Sequence, residues 1–138
     1  MNNRRRTLYL TTIRSDRSNF RALFDAADPN AIVEKRIDST VAPQALFMLN
    51  HPFALAQTKA LAQRVTTTAP ADDVGRIHWL YRQLYGRPPT APETALGLQA
   101  LAQARAQNPA TKDVTANELA WEQYCQLLLC ANEFVYVD

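Results

Sequence analysis

Apolar positions in this chain recur mostly every three or four residues, the spacing that gathers side chains on one face of an α-helix. A different pattern comes first. Residues 7–13 alternate Thr7, Tyr9, Thr11 and Ile13 with Leu8, Leu10 and Thr12, a β-branched and aromatic run that predicts a strand. A short helix follows, capped by Ser18, with Phe20, Leu23 and Phe24 on its buried face, and Asp28-Pro29-Asn30 turns the chain. Residues 31–38 are charged and irregular. Ser39 and Thr40 then cap a helix that takes Pro43 in its first turn and carries Leu46, Phe47, Met48 and Leu49. Asn50 and Pro52 restart the chain as another helix, with Phe53, Ala54, Ala60, Leu61 and Val65 inward, and residues 66–70 form a loop.

The second half keeps the 3.6-residue period. Asp72 and Asp73 stand where a helix N-terminus favours negative charge, and Val74, Ile77, Leu80, Tyr81 and Leu84 follow on one face until Gly86. Arg87-Pro88-Pro89 is a stiff connector. Thr90 with Glu93 is a capping box opening a helix that buries Ala95, Leu98, Leu101 and Ala102, so that this pair of helices forms an antiparallel hairpin. After a loop at 108–114, Thr115 and Glu118 form a second capping box. The helix they open has Trp121, Cys125 and Leu128 on one stripe, widened by Leu127, Leu129 and Cys130, which predicts a central place in a bundle. Phe134-Val135-Tyr136-Val137 alternates like a strand and is expected to pair with residues 8–13.

The elements predict a mainly α fold: a bundle of five to six helices in a single domain over residues 1–138, with a small two-stranded sheet joining the N- and C-terminal segments as an optional addition. Composition agrees. Only three glycines in 138 residues leave little room for hairpins, and a domain of this length buries roughly two-thirds of its unfolded surface without needing metals or disulfides.

Charge is distributed unevenly. The first 21 residues hold Arg4, Arg5, Arg6, Arg14, Arg17 and Arg21 against Asp16 alone, whereas Asp113, Glu118, Glu122, Glu133 and Asp138 close the chain with no basic residue among them. The two ends are therefore expected to attract each other. A nucleic-acid arm built from Arg4, Arg5, Arg6 and Tyr9 is the rival reading. It is set aside because a chain of net charge +2 lacks an extended basic surface. Residues 7–13 are too short and too rich in threonine for a signal-peptide core, and no stretch is long and apolar enough to insert in a membrane.

Candidate chemistry is sparse. His51 and His78 are the only histidines, too few for a metal centre with this ligand inventory, and no metal site is expected. Cys125 and Cys130 point about 140° apart on one helix and read as core thiols. No phosphate-cradling glycine loop or nucleophile elbow occurs. Asp25 and Asp28 are a carboxylate pair of the kind that serves glycoside hydrolysis, but their spacing also fits a helix end and an Asx-turn, with Arg36 as ion-pair partner. Asp25, Asp28 and Arg36 form the expected structural polar network, in which Gln44 and Asn50 satisfy loop backbone groups. If the chain is enzymatic, Asp25, Asp28 and Glu133 are the candidate acids. No catalytic residue is assigned otherwise.

An ordered series of segments carries a family resemblance: Arg5-Arg6-Thr7-Leu8-Tyr9, Phe24-Asp25 with Asp28-Pro29-Asn30, the run from Ser39 through Leu46, Leu49-Asn50 with Pro52-Phe53, and Asn132 through Asp138. Together they resemble the planctomycete-specific C-terminal domain of unknown function, the PSD-one family. The resemblance spans nearly the whole chain. It implies the C-terminal part of a larger protein, often one with upstream planctomycete-type cytochrome c modules, in an extracytoplasmic or periplasmic setting. Haem would belong to those upstream domains, since this chain has no haem motif and implies no cofactor of its own. Many members carry a cysteine shortly before the arginine matched by Arg36, where this chain has Val33 or a neighbour. The implied partners are other domains of the parent. The expected function is a non-catalytic structural or interaction module; the alternative is an accessory part of a polysaccharide-degrading enzyme, with a polysaccharide as partner.

Overall fold

Local signals fix most helix ends. In the computed structural model, which describes residues 23–24, 41–107 and 115–135, six helices are formed among the described residues: α1 (Val41–Asn50), α2 (Pro52–Thr68), α3 (Asp73–Tyr85), α4 (Ala91–Gln107), α5 (Ala116–Leu129) and α6 (Asn132–Val135). The architecture is mainly α, as the periodicity predicts. His51 caps α2, its Nδ1 accepting from the Phe53 amide at 3.2 Å, with Pro52 in the first turn where a missing N–H costs nothing. Asp72 caps α3 by accepting from the Gly75 amide at 2.7 Å. Gly86 ends α3 in the left-handed region at φ 71°, a conformation that a side chain would strain. Both capping boxes form. The Thr115 amide donates to Glu118 at 2.8 Å and Thr115 Oγ1 accepts from the Glu118 amide at 3.2 Å, while the Thr90 amide donates to Glu93 at 2.6 Å.

The chain divides into two compact units, Met1–Phe47 and Met48–Asp138. In the first, Gln44 is buried and its Nε2 donates to the Leu23 carbonyl at 2.8 Å, and the Phe24 and Phe47 rings meet edge to face at 5.6 Å. Of the helix expected after Ser18, only Leu23 and Phe24 are among the described residues.

The second unit is a bundle of α2 to α5. Asp73 at the start of α3 pairs with Arg105 near the end of α4, so the two helices run antiparallel as expected. Asn117 at the start of α5 accepts from the same arginine at 2.7 Å, and α5 reverses again. Gln126 near the end of α5 donates at 2.9 Å to the Leu49 carbonyl ahead of α2, which sets α2 antiparallel to α5. Helix α5 packs against both α2 and α4 and is the central element. Val65, Ile77, Leu80, Leu101, Trp121 and Cys125 are fully buried at the core. A large aliphatic side chain removed from water in this way contributes about 1.5–3 kcal/mol.

Several expectations are corrected. Phe134 and Val135, expected in a strand, lie in α6, where their amides bond to the Ala131 carbonyl at 2.9 and 3.2 Å. Local i to i+3 and i+4 bonding supplies their backbone partners, and β-propensity yields to such context. Tyr136, Val137 and the expected partner strand at 8–13 lie outside the described residues.

Helix α2 continues through the expected loop to Thr68, closed by the Ala69 amide on the Val65 carbonyl at 3.1 Å, while the hydroxyls of Thr66 and Thr67 bond back to the Gln63 carbonyl at 2.9 and 3.0 Å. Its inner face is Ala54, Thr58, Ala62 and Val65, whereas Phe53 and Ala60 are exposed. Thr58 tolerates burial by donating to the Ala54 carbonyl at 3.0 Å. In α4 the buried face is Gly97, Leu101 and Ala104; Leu98 is half-buried, and Ala95 and Ala102 are exposed. Alanine and leucine surround this helix, so hydrophobicity does not mark its inner side. Val74 and Leu127, expected inward, are also exposed.

Candidate functional site

Among the described residues of the second unit, a connected polar group lies at the turn between α3 and α4. Gly86 reverses the chain, Pro88 and Pro89 limit its freedom, and Arg87 between them turns its guanidinium onto two carboxylates. Nη1 and Nη2 donate to Glu93 at 2.9 and 2.7 Å; Nε and Nη2 donate to Glu133 at 2.7 Å each. Nη1 also donates to the Pro88 carbonyl at 3.2 Å. Both contacts use the planar fork that makes arginine suited to paired carboxylate recognition. The Tyr81 and Tyr85 rings complete the surroundings, 5.4 and 5.9 Å from Cζ, with the Tyr85 hydroxyl donating to the Leu128 carbonyl at 2.8 Å. One side chain thus joins the start of α4 to α6, beside the ends of α3 and α5.

Electrostatics at this junction are one-sided. The Arg87 hydrogen bonds hold the Glu93 carboxyl down to about 2, helped by the Thr90 amide. The same guanidinium keeps Glu133 below the usual carboxylate range. Arg87 is itself held protonated, first by Glu93 and then by Glu133. Burial pushes the Tyr85 hydroxyl up to about 12. A general acid works best with a pKa near the operating pH, and these carboxylates are moved away from it. The arrangement is suited to holding helices together.

A cleft of about 200 Å³ lies between α2 and α5, lined by Lys59, Gln63 and Thr66 on one side and Glu118, Trp121 and Glu122 on the other. Glu118 is committed to the capping box, where the Thr115 amide and then its hydroxyl lower the carboxyl. Trp121 is fully buried, and its Nε1 has no hydrogen-bond partner among the described residues. The Arg76 guanidinium lies 5.6 Å from the Trp121 ring centroid.

Of the residues singled out from the sequence, Asp25, Asp28 and Arg36 lie outside the described residues. Gln44 is buried against Leu23, Asn50 is the exposed last residue of α1, and Glu133 belongs to the Arg87 junction. No group of three or more His, Cys, Asp or Glu side chains converges among the described residues as a metal site would require. No described helix is long and apolar enough to cross a membrane. Burial raises the Cys125 thiol to about 12 and also raises Cys130, so neither is a ready thiolate. Arg87 was legible only as part of a connector, since its two partners lie six and forty-six residues away. The cleft had no sequence signal, because it depends on how α2 crosses α5.

No curated protein and no solved structure matches this chain. A family model described as PSD1, protein of unknown function (DUF1553), matches residues 1–101. The closing segment 132–138, to which the resemblance had extended, falls outside that match. With 101 of 138 residues matched, the chain belongs to the PSD1 family of proteins of unknown function.

Proposed function

We propose that this chain is a non-catalytic structural or interaction module at the C-terminus of a large cell-envelope protein. The observation that supports the non-catalytic reading is the double pairing of Arg87: it occupies Glu133, the one candidate acid among the described residues, and keeps that carboxyl ionised. The extracytoplasmic setting, and upstream modules that include haem-bearing ones, follow from the resemblance to the planctomycete domain. In this reading the bundle offers a folded surface against which neighbouring domains of the parent pack, and it takes no cofactor itself. An accessory role in polysaccharide degradation with Glu133 as the general acid would need its carboxyl raised, the opposite of the direction that Arg87 imposes.

The test is made in the full-length protein with Glu133→Gln. Polysaccharide turnover, if the parent has any, is expected to stay within about twofold of wild type, far less than the 10²–10⁴-fold typical of a lost general acid. A loss of about a hundredfold in a variant that keeps its circular dichroism spectrum would overturn the reading.

A further inference from the structure

We infer that α6 is a detachable strap, a segment that leaves the bundle without unfolding it, and that the contact between Arg87 and Glu133 is its catch. Helix α6 has four residues and none of them is buried. It packs beside α3 and α5, but among the described residues its hydrogen bonds to the bundle all run from the Arg87 guanidinium to Glu133. Its own backbone bonds close on Ala131, so its amides take no partner from the bundle that detachment would orphan.

Release also leaves the bundle intact. Arg87 keeps Glu93 through both Nη atoms, so no charge is stranded. Tyr85 keeps its bond to Leu128, which holds the end of α5 against α3. What detachment uncovers is the Nε edge of Arg87 beside the Tyr81 and Tyr85 rings, an edge shaped for a carboxylate. A free four-residue helix does not persist in water, so a detached α6 is also a melted one. Its amides then exchange with solvent while those of α5 stay protected.

Amide hydrogen exchange on the whole chain, followed by NMR, tests this with Glu133→Ala. Alanine's higher helix propensity offsets the loss of a favourable carboxylate in the first turn of α6, so the substitution removes the catch with little net local effect. The Phe134 and Val135 amides are expected to exchange about tenfold faster than in wild type, with α5 amides unchanged, and their wild-type exchange to be nearly independent of low urea concentrations. Unchanged exchange in α6 would show that Glu133 is not the catch. Equal acceleration in α5, or complete lack of protection of α6 in wild type, would show that no separate strap exists.

Discussion

The backbone of Gly97 in α4 lies so close to the Tyr124 hydroxyl in α5 that a Cβ added there would sit 2.5 Å from the oxygen and 3.0 Å from Ile77 Cδ1. Tyr124 is itself buried and meets the Trp121 ring edge to face at 5.9 Å, so it has little freedom to withdraw. Gly97→Ala is therefore expected to destabilise the bundle by about 1–3 kcal/mol, despite the gain in helix propensity of up to about 1 kcal/mol. Urea unfolding measures it. Combining the change with Tyr124→Phe should recover part of the loss, since the clashing oxygen is then absent; a neutral or stabilising Gly97→Ala would place the α4–α5 contact elsewhere.

Tyr85→Phe isolates the tie between the ends of α3 and α5. The Leu128 carbonyl still accepts from the Ala131 amide at 3.3 Å, so it is not left alone when the phenol is removed. The expected cost is about 0.5–1.5 kcal/mol in chemical denaturation, the ordinary net value of one hydrogen bond. A loss above about 3 kcal/mol would imply that the ring packing, and not this bond, had been disturbed.

Acid sensitivity follows from Glu93. Its folded-state pKa of about 2 lies below the ordinary 4.5, so the folded protein releases this proton more readily than the unfolded chain. The stability it contributes is complete above about pH 4.5 and is lost as pH falls through that window toward about 2. Asp73, lowered first by its hydrogen bond to Arg105, adds to the same direction. Melting temperature measured from pH 7 to pH 2 should drop less steeply for Glu93→Gln than for wild type. Parallel curves would remove Glu93 from the account.

How far the sequence predicts this structure depends on the distance over which each interaction acts. Thr115 with Glu118 and Thr90 with Glu93 are legible because a cap is completed within three residues. The stripe of Trp121, Cys125 and Leu128 is legible because these residues recur at three- and four-residue spacing, although Leu127, read inward with them, is exposed. Helix α4 has no such bias. Its inner side is selected by Gly97 meeting Tyr124 and by Arg105 reaching Asp73, both contacts across the bundle. For the site, Glu93 was readable as a cap and Glu133 as an acid, but their shared Arg87 was not. The Phe134 to Val137 alternation suggested a strand because β-propensity was weighed without the turn at Ala131 that starts α6.

The account rests most heavily on Arg87 pairing with Glu133 and lowering its carboxyl. The Glu133 side-chain carboxyl can be titrated directly by carbon-detected NMR. A pKa below the ordinary 4.5 in wild type, returning to the ordinary range in Arg87→Gln, is the predicted result. A Glu133 pKa at or above the ordinary value in the folded wild-type protein would contradict it and restore Glu133 as a candidate acid.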